Sequence, residues 1–425
     1  MAPTTQIDGP TGLLLLPPVP HPPTYPAIKA AYHASVLLTL RQLVDANPTS
    51  RITLDIAVPC PHLYGTSASR SSLYATTQTV VANVYKLVCI IAARQRIEVA
   101  DVEGEGVVDV RVLLLSYPRD GVLKDSEGDV GDGWFGPVVG LRTLTKSGRK
   151  WGTVFSIETE QGEILLKNFK RLNSVDGTNK ALFTKIRGGI VQVDQSAKDE
   201  VSTTSHICDS VAVGGTFDHL HIGHKLLLTM VAFALDPPIF SETVRQDPKE
   251  KVITIGMTAA DLLAKKKYAE MLQSWKTRTD RTHLFMKGIM QFGTDDQFSE
   301  AIEEVHKPGP NGHAVLIRLS CPRGKVVIRY TEIWDPFGPT ITDPDIDTLI
   351  VSGETRSGGR MVNDKRLEMK MNGLDVLEVD VLDTEEEDDA STKDSQALDT
   401  SFQAKLSSTE IRKAQAERIR SRSRV

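Results

Sequence analysis

The sequence predicts an α/β protein, with a doubly wound parallel sheet in the C-terminal half and a separate α/β domain before it. Three observations carry this. Beyond residue 208, short apolar strands alternate with helical stretches, the pattern of parallel sheets with crossover helices. The first of these strands, "SVAVGG", ends in a glycine turn and runs into "HKLLLTMVAFAL", a helix apolar nearly all round and therefore buried. Before residue 194, helical and strand patterns also mix, over a length suited to one domain.

Taken in order, residues 1–27 are proline-rich and predict an irregular arm. "AAYHASVLLTLRQLVDA" repeats apolar residues at three- and four-residue spacing and predicts a helix, as does the more apolar "VVANVYKLVCIIAARQ". "VVDVRVLLLSY" predicts a strand. The alternating "WGTVFSIETEQGEILLKNF" predicts two strands broken by a turn at "EQGE". These make an N-terminal domain over 28–193 with no chemical motif. The polar stretch "DQSAKDEVSTTSH" cannot feed a core and marks a linker at 194–207. In the second domain, 208–420, "KVITIGMT" predicts a strand and "AADLLAKKKYAEMLQ" a helix. "DTLIVSGET" and "LDVLEVDVL" predict further strands. Residues 306–330 predict a β-hairpin or an excursion from the sheet. The acidic, serine-rich run 383–401 predicts a disordered loop. The basic end, "IRKAQAERIRSRSRV", begins as a helix with a solvated face and then frays.

Composition narrows the function classes. The chain has 425 residues, a formal charge of -5 and a pI near 6.1, which gives no support for nucleic-acid binding. Cys60, Cys89, Cys208 and Cys321 lie far apart without a C-x-x-C pair, so neither a disulfide framework nor a structural zinc site is expected from them. No uncharged apolar run reaches the ~18–20 residues of a membrane span. The N-terminus carries neither a basic n-region nor an Arg-rich amphipathic pattern. A soluble, cytoplasmic protein is the expectation.

The chemistry concentrates in "GGTFDHLHIGHK", residues 214–225. Gly214 and Gly215 let backbone N–H groups approach a phosphate closely. The turn lies at the carboxyl end of a strand, where open α/β sheets bind ligands. Thr216 and Asp218 are therefore expected in the crevice. His221 and His224 follow three apart at a helix start, so both imidazoles can address one side. Such a pair suits triphosphate oxygens and charge developing in phosphoryl transfer. A metal role is not assigned, because the spacing is three and no glutamate lies between. In "KLSSTEIRK" (405–413), Ser407, Ser408 and Thr409 are N-cap residue types with Arg412 one turn in, an arrangement that makes an anion site.

These two stretches resemble the paired motifs of the nucleotidyltransferase superfamily, G-T-F-D-x-x-H-x-G-H and K-x-S-S-T-x-[IV]-R. The intervening G-x-T before an L-L-x-x-K helix, the D-P-x-G-P turn and the V-S-x-E-T-x-x-G-x-x-x-N-x-x-R run resemble the eukaryotic pantetheine-phosphate adenylyltransferases. The resemblance covers residues ~208–420. It implies a Rossmann-like fold and transfer of AMP from ATP to 4′-phosphopantetheine, with Mg²⁺ accompanying the nucleotide. It implies that His221, His224 and Lys266 are catalytic. Gly214, Gly215, Thr216, Phe217, His224, Ser407, Ser408, Thr409 and Arg412 would bind ATP. Thr216, Asp218, Lys266, Glu354, Thr355, Asn363 and Arg366 would line the acceptor site, while Arg356 meets either substrate or solvent. No G-x-x-x-x-G-K-[ST] loop for a following kinase occurs, which resembles the monofunctional fungal form. A cytidylyltransferase is the alternative enzyme. A scaffold gathering other coenzyme A enzymes is the alternative outside catalysis.

Overall fold

A computed structural model describes residues 9–100, 106–124, 135–173, 181–194, 206–237, 250–294, 296–307, 309, 311–322, 324–382, 402 and 406–422. The predicted linker lies largely outside them, and the acidic run 383–401 wholly so. The chain forms two α/β units, each built on a sheet of mostly parallel strands, the second Rossmann-like.

The first sheet is six-stranded and parallel, in the order β4-β3-β2-β1-β5-β6. Its strands are β1 (Thr11–Leu15), β2 (Ile52–Cys60), β3 (Val108–Ser116), β4 (Val138–Gly140), β5 (Thr153–Ile157) and β6 (Leu182–Ile186). The helices are α1 (Tyr25–Ala46), α2 (Arg70–Gln95), α3 (Leu141–Thr145) and α4 (Glu160–Asn173). Two expectations change here. The proline-rich start is not an irregular arm throughout, because "TGLLL" is β1, flanked by β2 and β5. Its leucines are covered on both faces, which is why the strand reads as an unbroken apolar run without alternation. The second half of "WGTVFSIETEQGEILLKNF" is α4 rather than a strand. Leu165, Leu166, Phe169 and Leu172 are its buried face, at helical spacing.

The second sheet has seven strands in the order β13-β12-β7-β8-β11-β10-β9. Strands β7 (Ser210–Gly215), β8 (Lys251–Thr258), β11 (Gly324–Ile333), β12 (Thr348–Ser352) and β13 (Asp375–Val379) run parallel. Strands β9 (Ser299–His306) and β10 (His313–Cys321) add an antiparallel flank, so the hairpin expected at 306–330 belongs to a three-stranded excursion. The helices are α5 (Ile222–Ala234), α6 (Ala260–Leu263), α7 (Trp275–Met290), α8 (Arg356–Glu368) and α9 (Ser408–Arg422). The helix expected over "AADLLAKKKYAEMLQ" is only the short α6. The backbone reverses at Tyr268, which holds a left-handed φ of 56°, and leaves the lysines on an exposed turn. From β7 the chain moves to β8 on one side and later to β12 on the other. The crevice at such a reversal, outside the carboxyl ends of β7 and β12, is where open α/β sheets take ligands.

One continuous apolar core spans both units. Helix α2 is long and apolar enough to cross a bilayer, but its side chains are packed in that core, with Tyr74 against Phe233 of α5. Asp236, just beyond α5, accepts from the Arg70 N–H that opens α2 (3.0 Å) and from the Cys208 N–H (2.8 Å). Arg149 of the first unit donates to Asp55 (2.9 Å) and to the Gly288 and Gln291 carbonyls of the second. Beneath α5 lies a buried ion pair between the units. Lys225 Nζ, 1% exposed, donates to Asp109 Oδ1 at 2.8 Å and to the Val99 carbonyl at 3.3 Å. Burial alone would raise the Asp109 carboxyl, but Lys225 and Arg111 outweigh it and hold the group well below the usual carboxylate range.

Removing one member of a buried pair strands the other charge, typically at about 3–5 kcal/mol. Asp109→Ala should therefore lower the urea unfolding free energy by about 3–5 kcal/mol, and Asp109→Ala/Lys225→Met should recover part of the loss, because Arg111, 3.3 Å from Asp109, is stranded in both variants. Equal destabilisation in the single and double variants would show that the ammonium was never committed to Asp109.

Candidate active site

Strand β7 delivers Gly214 and Gly215 to the crevice beside the end of β8, with Gly215 opposite Met257 and its carbonyl accepting from Thr258 Oγ1 (3.2 Å). Gly215 has a steric reason to be glycine: a Cβ there would lie 2.9 Å from the Phe217 ring. At Gly214 a Cβ would meet nothing within 4 Å, so this position is open to a ligand. The chain then turns sharply. Phe217 and His219 adopt left-handed φ values of 49° and 47°, uncommon for residues with side chains and maintained only where surroundings dictate them.

Those surroundings are specific. Asp218, fully buried, accepts from the Gln273 N–H at 3.0 Å and from Arg412 Nη1 at 2.5 Å, while its own carbonyl accepts from Ser408 Oγ at 2.7 Å. The His219 N–H donates to Gln273 Oε1 (3.0 Å), and His219 Nε2 lies 3.0 Å from the Met271 carbonyl. Arg278, 1% exposed, donates to the carbonyls of Thr216 (2.7 Å), Thr258 (2.9 Å) and Gln273 (3.2 Å). The loop 215–219 is thus fixed from β8, from the start of α7 and from α9.

His221 caps α5, its Nδ1 accepting from the His224 N–H at 3.4 Å. The two imidazoles stack at 3.8 Å with planes 18° apart, and the Phe217 ring lies 5.4 Å from His224. Stacked rings of like charge in a buried place disfavour protonation. Burial is the largest cause at both positions. At His221 it combines with His224, Lys225 and His219 to push the imidazole well below its usual range. At His224 it combines with Lys266 and His219, against the opposing pull of Asp218, to bring the group down to about 4. Both are therefore neutral at pH 7 and act as hydrogen-bonding groups. Lys266 Nζ donates to Thr216 Oγ1 at 3.1 Å. Its ammonium is lowered by partial burial and by the neighbouring Arg412 and Arg278 cations, with Asp218 opposing.

The two sequence motifs therefore meet: Gly214, Gly215, Thr216, Phe217, Asp218, His221, His224 and Lys266 share one assembly with Ser407, Ser408, Thr409 and Arg412. Some roles differ from expectation. Asp218 does not line the crevice, because its carboxylate is occupied by Arg412 and Gln273. Arg412 is 1% exposed and spends its guanidinium on Asp218, the Lys267 carbonyl and Thr409 Oγ1, so it is no open phosphate donor. Ser408 likewise binds a carbonyl, and Ser407 accepts the first helical bond, from the Ile411 N–H. Glu354 and Thr355 stand exposed at the end of β12, next to β7, with Thr355 Oγ1 accepting from the Ser352 N–H. Asn363 and Arg366 do not line the crevice. Asn363 clamps Leu374 through both its N–H and its carbonyl, and Arg366, buried, donates to the carbonyls of Asn372, Thr340, Asp343 and Ile346. Arg356 pairs with Glu378. Sequence reasoning missed Gln273, Arg278 and Lys225. Arg278 sits in "TRTDR", which reads as a solvated face and gives no sign of burial.

Residues 1–192 match a family described as a domain of unknown function, DUF8446. An uncharacterized protein of Schizosaccharomyces pombe is 29% identical over 280 residues, 65% of this chain and 68% of that protein. The phosphopantetheine adenylyltransferase of Saccharomyces cerevisiae is 32% identical over 202 residues, 48% of this chain and 47% of that protein. The match thus spans about half the length of the yeast enzyme. The phosphopantetheine adenylyltransferase of Pyrococcus abyssi is 25% identical over 172 residues, 40% of this chain and 78% of that enzyme. Over those stretches the chain is similar to phosphopantetheine adenylyltransferases of both fungal and archaeal origin.

Proposed function

We propose that the chain transfers AMP from ATP to 4′-phosphopantetheine, giving dephospho-coenzyme A and pyrophosphate. The observation that carries this reading is the meeting of two distant motifs at one strand end. The stacked His221–His224 pair, the Lys266–Thr216 bond and the Ser408–Asp218 bond all surround the turn that leaves β7. The names of the similar yeast and archaeal proteins supply the acceptor.

In this reaction an oxygen of the acceptor phosphate attacks the α-phosphorus of ATP. The bond from that phosphorus to the bridging oxygen breaks, and pyrophosphate leaves with the electron pair. The nucleophile is already ionised at neutral pH, so no general base is required, and the protein's task is alignment and charge stabilisation. Mg²⁺ arrives with the nucleotide as part of the substrate. Thr216 and Lys266 hold the acceptor phosphate, with Lys266 also reaching the α-phosphate. The open backbone at Gly214 and the His221–His224 pair receive the triphosphate, and Ser407 and Thr409 at the head of α9 receive the leaving side. Arg412 is a positioning residue: through Asp218 it holds the loop bearing Thr216.

The test is incubation with ATP, Mg²⁺ and 4′-phosphopantetheine, following pyrophosphate release and product mass. Wild type should yield dephospho-coenzyme A, and His224→Ala or Lys266→Ala should lower kcat by about 10²–10³. Absence of that product, or turnover with CTP instead, would overturn the assignment.

The two neutral imidazoles couple nucleotide binding to proton uptake. The free protein leaves His224 unprotonated until about pH 4, whereas a bound polyanion favours its charged form. MgATP binding in mildly acidic buffer should therefore take up protons, and its calorimetric enthalpy should vary with the ionisation enthalpy of the buffer. His224→Asn should flatten that dependence. A wild-type enthalpy independent of buffer would refute proton uptake.

A further inference from the structure

A second cluster of ionisable side chains lies on the antiparallel flank, apart from the motif histidines. His306 ends β9 and His313 begins β10, directly opposite each other across the strand pair. Glu304 lies two residues before His306, so the strand's period of two puts it on the same side. Glu332, at the next position of the β10–β11 register, stands across His313 on the other side.

The atoms converge. Glu304 Oε1 lies 3.3 Å from His306 Nε2 and 3.2 Å from His313 Nε2. The imidazole planes are 6° apart with centroids at 4.6 Å. One ligand atom from each of the three residues falls within 4.8 Å of the other two. Ligands bound to Zn²⁺ at about 2.0–2.2 Å in a tetrahedron stand about 3.3–3.6 Å apart, which the Glu304 oxygen already matches to both Nε2 atoms, while the stacked rings must turn about their side-chain torsions to aim both lone pairs at one ion. Glu332 Oε2 lies 3.2 Å from His313 Nδ1. Carboxylates placed like this on the far nitrogen of a histidine hold the near nitrogen as the lone-pair donor.

We propose that Glu304, His306 and His313 bind a divalent transition-metal ion of the Zn²⁺ class, with Glu332 orienting His313. Imidazole and carboxylate donors suit that class, and three protein ligands leave a fourth position open. Glu304 and His306 are well exposed, so an ion has direct access. The Trp275 ring packs 4.6 Å from His313 and provides a local reporter. Trp275 also opens α7, two residues after Gln273, so the cluster adjoins the elements that hold Asp218.

The test is calorimetric titration of the chelator-stripped full chain with ZnCl₂ at neutral pH, comparing wild type with His306→Ala/His313→Ala. Wild type should take up one more equivalent than the double variant, with a change in tryptophan emission that the variant lacks. Glu332→Gln should keep that equivalent but bind it about 10–100-fold more weakly. The difference count separates this site from Zn²⁺ held by other histidines. Equal stoichiometry and affinity in wild type and double variant would overturn the proposal. If the double variant fails to fold, Glu304→Gln at an exposed side chain replaces it, and unchanged Zn²⁺ affinity there overturns the proposal equally.

Discussion

The geometry of the crevice depends on the carboxylate of Asp218. A fully buried aspartate must be paired and hydrogen-bonded on all sides, and here its partners come from two places far apart in sequence. Gln273 approaches from the segment before α7 and Arg412 from α9. Because the pairing is charge-assisted and dry, it fixes the turn after β7 and docks α9 in one step. Phe217 and His219 hold their left-handed backbone because this ring of partners leaves no alternative. The side chains this hub leaves unengaged at the turn are Thr216, Lys266 and the histidine pair.

The same division of labour explains what was legible in the sequence. Gly214, Gly215, His221 and His224 form one short contiguous stretch whose spacing translates directly into a strand end and a helix start. Ser408 and Arg412 were legible as a helix-opening motif, but not their direction, because nothing local shows that Arg412 turns inward to Asp218. Asn363 and Arg366 failed for a related reason. A polar side chain one turn from another on a helix suggests a binding face, yet both satisfy backbone carbonyls that turns would otherwise leave bare. Strand β1 was hidden because a strand covered on both faces loses its alternation, and prolines follow it at once. Helix α4 was hidden because its first residues, Glu160–Glu163, read as a turn and the short apolar run after them reads as a strand.

The two units share more than a boundary. Lys225 follows the second motif histidine directly, and its ammonium crosses beneath α5 to Asp109 of the first sheet. The helix that carries His221 and His224 is therefore held from below by a domain with no chemical motif of its own. With α2 packed against α5 and Arg149 reaching the end of α7, that domain supports the histidine helix from below.

The position of β1 has a consequence for how the chain is made. It is synthesised before either of its neighbours, and these are separated by much of the first unit: Gly12 pairs with Leu54 on one edge and with Thr153 on the other. Until β5 is synthesised, one edge of an intensely apolar strand has no partner, and an unpaired edge is a template for pairing with another chain. The prolines that follow β1 cannot donate to such a ladder and limit how far a wrong partner can extend. A chain trimmed to begin at residue 28, where the helical pattern starts, would lose the middle of its first sheet.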